Sequence, residues 1–173
     1  MSAARSITGT PNALVGMWFA LAAIAMLFIG LTSAYVARRG LDPQWVPASA
    51  PPAALPACAF LIASSVTFEF SRRRSNRTWL LATFALGLTF ITVQVAACRQ
   101  LSAAGLYLST SPHSSFFYLF TALHGLHILG GMAALTWLIC SRSTAARINV
   151  LALYWHAMTI VWIYLLAVLF AWN

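Results

Sequence analysis

Five uninterrupted apolar runs, Leu14 to Ala37, Ala53 to Phe70, Thr78 to Cys98, Ser115 to Ile139 and Asn149 to Trp172, take up most of this 173-residue chain. Each meets the requirement for crossing a hydrocarbon core about 30 Å thick, namely about 20 helical residues rising about 1.5 Å apiece. In hydrocarbon every backbone N–H and C=O must be bonded within the protein, so continuous runs of this kind have only the helix open to them. A transmembrane β-barrel would instead show alternating segments of about ten residues. The expectation is therefore an all-α, polytopic membrane protein, a bundle of five transmembrane helices forming a single domain over residues 1–173. The connectors leave no room for a soluble catalytic headpiece. Apolar residues make up 61% of the chain and charged ones 7%, against a soluble norm of about half and about a quarter. The first run is too long for a secretory signal, whose apolar part spans about 7 to 15 residues, and it ends in Arg38-Arg39.

All ten basic residues are arginines, and they sit in or beside the connectors. A formal charge of +8 on one soluble face would suggest nucleic acid; spread between membrane segments it reads as topological signalling. Arg5, Arg72, Arg73, Arg74, Arg77, Arg142 and Arg147 fall on one side, against Arg38, Arg39 and Arg99 on the other. That imbalance places the N-terminus in the cytoplasm and the C-terminus outside, with no nucleic-acid partner. The Arg72–Arg77 cluster also suits anionic headgroups. Glu69, one residue before the end of its run, reads as an interfacial ion-pair partner of those arginines. Cys58, Cys98 and Cys140 are widely spaced and read as small apolar residues.

Within the first run, Gly16 with Ala20 and Gly30 with Ala34 form small-residue pairs suited to close helix approach, so this is expected to be a packing face. Trp18 and Tyr35 lie toward its two ends, where amphipathic rings favour the headgroup region. The connector from Gly40 to Pro52 carries Asp42, Trp45, Pro43, Pro47, Pro51 and Pro52 and cannot be helical throughout. Gln94 is the strongly polar interior residue of the third run and is expected to bond between helices. Tyr107, Pro112 and His113 read as a connector.

Chemistry concentrates in the fourth and fifth runs. His124 and His127, three residues apart, share a face of one helix, and Tyr154-Trp155-His156 follows in the next. Intramembrane ionisable groups are candidate functional sites. Two readings stand: ligation of a haem or transition metal by His124, His127 or His156, as in a small b-type membrane cytochrome, or hydrogen bonding to helices, partners and lipid. The absence of a fourth intramembrane ligand favours the second. Inverted repeats and broken helices, which would indicate a transporter, are not seen.

Phe116-Phe117-Tyr118 leading into His124-Gly125-Leu126-His127 and Gly130-Gly131, followed by Tyr154-Trp155-His156 and Val161-Trp162, resembles subunit III of the haem-copper terminal oxidases. Met17-Trp18, Leu31-Thr32-Ser33-Ala34-Tyr35-Val36 and Arg38-Arg39-Gly40 are similar to the branch in bacterial cytochrome c oxidases of the caa3 kind, and Ser64-Ser65-Val66-Thr67 and Gln94 also fall where the family has comparable residues. The resemblance runs from Leu14 to Trp172, in the five-helix bacterial form. It implies a non-catalytic chain in the inner (plasma) membrane, without haem or copper of its own. Such a chain packs against the haem-copper subunit I, works with subunit II, holds structural phospholipid and supports proton uptake and stability during dioxygen reduction. The electron donor, cytochrome c or quinol, would meet only the complex, and the equivalent subunit of a quinol oxidase is the alternative within the family. Carried over by resemblance, Trp18, His124, His127, Arg147, Tyr154, Trp155 and His156 are the expected lipid or subunit contacts, with no catalytic, cofactor-binding or metal residues. Ile24 and Thr159 stand where many members carry carboxylates, so a buried-carboxylate role in proton delivery finds no support in this sequence.

Overall fold

A computed structural model describes residues 10–42, 45, 51–74, 76–107, 111–141 and 144–171. Five helices follow in order: α1 Thr10–Leu41, α2 Ala54–Arg74, α3 Arg77–Ala103, α4 Pro112–Cys140 and α5 Ala145–Leu166, the last running on into a π-helical turn, Ala167–Ala171. All five are long and apolar enough to cross a membrane. Arg5, Arg142, Pro43, Pro47 and Trp172, on which part of the sequence reading rests, lie outside the described residues.

Helices α1, α3 and α4 outrun their apolar runs at both ends, α2 at its end and α5 at its start, because apolarity marks only the stretch in hydrocarbon while the helical hydrogen-bond ladder continues into the headgroup region. Thus α2 carries Arg72, Arg73 and Arg74 in its last turn and α1 carries Arg38 and Arg39. Local chemistry sets the other ends. Asn76 caps α3 by accepting from the Thr78 N–H, and Pro56 is tolerated because it lies in the first turn of α2. At the far end of α3, Gly105 adopts a φ of 80°. Its N–H donates to Ser102 and that of Leu106 to Leu101, the paired closure of a glycine-terminated helix.

Tyr107, Pro112 and His113 were expected in a connector; instead Pro112 and His113 form the first turn of α4, which opens on a capping box between Ser111 and Ser114. Proline at the start loses no helical bond. His113 is then buried, facing the Tyr35 hydroxyl at 3.1 Å, and Trp45 packs edge-on to both rings. The tail of α1 and the head of α4 are thereby joined at one end of the bundle.

Helix α5 touches α1, α2 and α4, while α2 and α3 form a tight antiparallel hairpin and α3 also packs on α4. The core is aromatic, with Trp155, Trp162, Tyr35, Phe28, Phe68, Phe90, Phe117 and Phe120 all fully enclosed. Helix α1 is the outlier: only 11% of its most apolar stretch is buried within the chain. The expected packing face of Gly16, Ala20, Gly30 and Ala34 is exposed, and a Cβ added at Gly16 or Gly30 would meet nothing within 4 Å. The chain buries Leu21, Phe28, Thr32 and Tyr35 instead. Large rings filling the gap toward α4 and α5 hold that helix at side-chain distance, leaving the small residues on the outer face.

Candidate functional site

Trp155 is the centre of the polar and aromatic seam. Its indole lies in a slot between two glycines: a Cβ on Gly87 of α3 would come within 3.1 Å of the ring, and one on Gly131 of α4 within 3.2 Å. Phe68 of α2 meets it edge-on at 6.0 Å. Its Nε1–H donates to Ser64 Oγ at 3.1 Å, and that hydroxyl donates onward to the Thr83 carbonyl. Three helices thus converge on one side chain of a fourth, which accounts for glycine at Gly87 and Gly131: even a methyl group there would press on the ring.

The neighbouring residues diverge from it as the helical turn requires. Tyr154 reaches α4, donating from its hydroxyl to the His127 carbonyl at 2.8 Å. His156 reaches α2, where Nδ1 is hydrogen-bonded to Ser65 Oγ and Nε2 lies 3.6 Å from Glu69 Oε2. Glu69 accepts from Arg72 through both oxygens, at 2.6 and 2.7 Å, and from Arg73 at 2.7 Å. The ion pair read from the sequence is therefore present, with an imidazole added to it. The contact between α2 and His156 was not foreseen, because nothing in the linear pattern pairs the second helix with the fifth.

His124 and His127 share Phe28 of α1, at ring distances of 6.4 and 5.8 Å, but their surroundings differ. His124 is 1% exposed, stacked on Trp162 at 4.8 Å and edge-on to Phe90 at 6.0 Å. Neither ring nitrogen has a hydrogen-bond partner among the described residues. His127 is half-buried and bonds through Nδ1 to the Leu123 carbonyl at 2.7 Å. A carbonyl can only accept, so Nδ1 carries a proton. The three intramembrane histidines do not converge: His124 faces the core, His127 its own helix and α1, and His156 the α2 terminus. No cluster of His, Cys, Asp or Glu able to hold a metal is found among the described residues.

Trp18 is 57% exposed on α1. Arg147, in the first turns of α5, lies over the Trp137 ring of α4 at 4.9 Å. Arg147 lines a cavity of about 760 Å³ with Leu14 and Met17 of α1, Trp137 and Leu138 of α4 and Leu151 of α5; Trp18 is not part of its lining. Its wall is hydrocarbon and its rim is a cation held by an aromatic ring. Of the seven expected contact residues, Trp155 and His124 are thus enclosed by the chain's own helices; Trp18, His127, Arg147, Tyr154 and His156 keep some surface.

The family model for cytochrome c oxidase subunit III matches residues 13–173. A probable cytochrome c oxidase subunit 3 of Mycobacterium bovis is 35% identical, over 90% of this chain and 86% of that protein, and its counterpart in Nocardia farcinica is 33% identical with the same coverage. The cytochrome bo(3) ubiquinol oxidase subunit 3 of Pseudomonas aeruginosa is 29% identical over 92% of this chain and 84% of that protein. With its five membrane-crossing helices and with the family matched over nearly its whole length, the chain is a multi-pass membrane protein that belongs to the cytochrome c oxidase subunit III family of the haem-copper oxidases.

Proposed function

We propose that the chain is the non-catalytic subunit III of a respiratory cytochrome c oxidase in a bacterial inner membrane, with its N-terminus in the cytoplasm. It packs against the haem-copper subunit I beside subunit II and stabilises the complex during dioxygen reduction. The observation that carries this reading is the division of labour within α1: one face holds Phe28 and Tyr35 in the chain's core, while the small-residue face of Gly16, Ala20, Gly30 and Ala34 is bare. In lipid, close van der Waals approach between helices replaces the hydrophobic effect as the driving force, and small residues permit it. A neighbouring helix from subunit I is the occupant that this face suits. Haem and copper belong to the partners: the dispersed histidines, one of them stacked on Trp162 and edge-on to Phe28, give a porphyrin no common axis. Cytochrome c as donor is favoured by identities of 35% and 33% to the Mycobacterium bovis and Nocardia farcinica subunits, against 29% to the ubiquinol oxidase subunit of Pseudomonas aeruginosa.

The tagged chain is expected to copurify with a haem-bearing subunit in mild detergent; recovery as a lone monodisperse protein without a haem absorption band would sink the proposal. Copper beyond that of the haem-copper centre distinguishes a cytochrome c oxidase from a quinol oxidase. Phospholipid binding is placed in the cavity beside Arg147, with acyl chain against Leu14, Met17 and Leu151 and phosphate toward the guanidinium. Arg147→Gln should reduce retention of anionic phospholipid about fivefold, the equivalent of one basic residue near an anionic surface. Native mass spectrometry of the complex checks it; unchanged retention overturns the placement.

A further inference from the structure

The contact of Ser65, Glu69 and His156 ties α2, and with it the α2–α3 hairpin, to α5, which also touches α1 and α4. It lies beside the Trp155 bond to Ser64 in the same joint. Glu69 is used unevenly. An ionised carboxylate offers about four acceptor positions on its two oxygens. Oε1 accepts from Arg72 Nη2 and Arg73 Nε, whereas Oε2 accepts from Arg72 Nε alone. The remaining position, on Oε2, faces His156 Nε2 at 3.6 Å, near enough for charge to act and too far for a formed hydrogen bond. Across the ring, Nδ1 is bonded to Ser65 Oγ, and a hydroxyl serves equally as donor to a bare nitrogen or as acceptor from an N–H. The imidazole can therefore hold one proton or two without losing either neighbour. Protons have a way in: His156 and Glu69 are both partly exposed, and they line an open cavity of about 480 Å³ with Ser65, Val66, Phe70 and Arg73.

We infer that His156 and Glu69 are a proton-operated clasp between α5 and α2, loose while the imidazole is neutral and drawn shut when it is protonated. A carboxylate only accepts, so in the neutral ring Nε2 carries the single proton toward Glu69 and the Ser65 hydroxyl donates to Nδ1. A second proton enters at Nδ1, the hydroxyl turns to accept from it, and the ring becomes a cation opposite Oε2. The charge-assisted bond then formed is shorter and about twice as strong as a neutral one. Arg72 and Arg73 resist the added charge, but their side chains are 40% and 70% exposed and screened by water and salt, while the carboxylate is the charge in direct contact. On α5 itself, Tyr154 turns to α4, and Arg147 lies about 14 Å along the helix, over Trp137. Helices α1, α3 and α4 place no titratable side chain against His156 among the described contacts. Imidazole is the side chain whose ordinary titration falls between pH 5 and 8, so the clasp answers to the compartment at the arginine-rich end of the bundle. Its attraction is fully present on the acid side and is lost as pH rises through the imidazole titration. The clasp shares no residue with the Arg147 cavity and does not depend on which oxidase the chain serves.

Amide hydrogen exchange of the full chain in nanodiscs, corrected for the intrinsic pH dependence of exchange, reads how often α2 opens against α5. Between about pH 8.5 and about pH 5, the two sides of an imidazole titration, the opening of residues 65–74 should fall about threefold, the scale of a part-exposed ion pair. The amides around Gln94 and Thr121, where α3 meets α4, should open equally at both. His156→Gln keeps a hydrogen-bonding group against Ser65 but takes up no proton, and should show no difference between the two conditions. Glu69→Gln leaves the imidazole in place and removes the charge it faces, and should flatten the response as well; should either variant fail to fold, the other still decides. Thermal midpoints on the alkaline side, where the wild-type clasp is loose, should be close to wild type in His156→Gln. Equal opening of the wild-type residues 65–74 at both pH values, or a threefold response that persists in either folded variant, overturns the inference.

Discussion

Trp155→Ala is expected to destabilise the bundle by about 3 kcal/mol, measured as unfolding of the chain in mild detergent. Truncating a buried tryptophan in a water-soluble core costs about 3–5 kcal/mol, partly lost transfer from water and partly the cavity left behind. In a bilayer the transfer contribution is small, because lipid tails are as apolar as the core, and the expected cost lies at the low end of that range. Two features of the slot keep it from falling further. The indole fills space bounded by Gly87, Gly131, Met132 and Phe68 on three helices, so no single side chain can collapse into the gap. Its N–H also donates to Ser64 Oγ, a bond worth about 1 kcal/mol; Trp155→Phe should cost roughly that bond plus a small void. Gly87→Leu, which would drive a side chain into the indole and into Met132 Sδ at 2.9 Å, should cost about 1–3 kcal/mol alone by overpacking and much less in the Trp155→Ala background. A cycle showing simple additivity, or a Trp155→Ala cost below about 1 kcal/mol, would remove Trp155 from its central place.

The number, order and class of the helices were legible because membrane insertion makes them a question of length and hydropathy, both local properties. Which face of each helix turns inward was not, and the reason is physical. A soluble helix advertises its core face by contrast with a polar surface, but on α1 the enclosed Phe28 and the exposed Phe19 and Met26 are equally apolar. Small residues were read as a packing face, yet Gly16, Ala20, Gly30 and Ala34 lie on the exposed side of α1; nothing in the sequence says whether the neighbour of such a face is the same chain or another one. The candidate site divides along the same line. His124, His127 and Tyr154-Trp155-His156 stand out as polar groups in hydrocarbon, whereas the Ser65, Glu69 and His156 contact and the Tyr35, Trp45 and His113 cluster require α2 to lie on α5 and α1 on α4. Those pairings are set by tertiary packing of aromatic volumes, which single-chain periodicity does not encode. Gly87 carried one usable signal, a lone glycine inside an otherwise well-formed helix, which points to close approach by a neighbour.

Replacing His124 by phenylalanine is expected to stabilise the isolated chain, by about 1 kcal/mol, even though the residue belongs to the His124-Gly125-Leu126-His127 motif that resembles the family. Neutral imidazole carries one N–H donor and one bare acceptor, and both nitrogens of His124 are buried without a partner among the described residues. Each unsatisfied buried group of this kind costs about 1–3 kcal/mol. A benzene ring would keep the stack on Trp162 and the edge contacts with Phe28 and Phe90 while removing both polar atoms. Against that gain stands the added ring volume, since overpacking costs about 1–3 kcal/mol, and the net is expected to stay modestly favourable. His124→Ala separates the two effects: it removes the same polar atoms but leaves a cavity beside Trp162, and should be destabilising. A higher thermal midpoint for His124→Phe and a lower one for His124→Ala, with undiminished recovery of the haem-bearing partner in both, would make His124 a residue of this chain's own core. A loss of midpoint in His124→Phe would mean instead that the folded protein gives those nitrogens hydrogen-bond partners, and the polar seam between α1, α4 and α5 would then be a hydrated one.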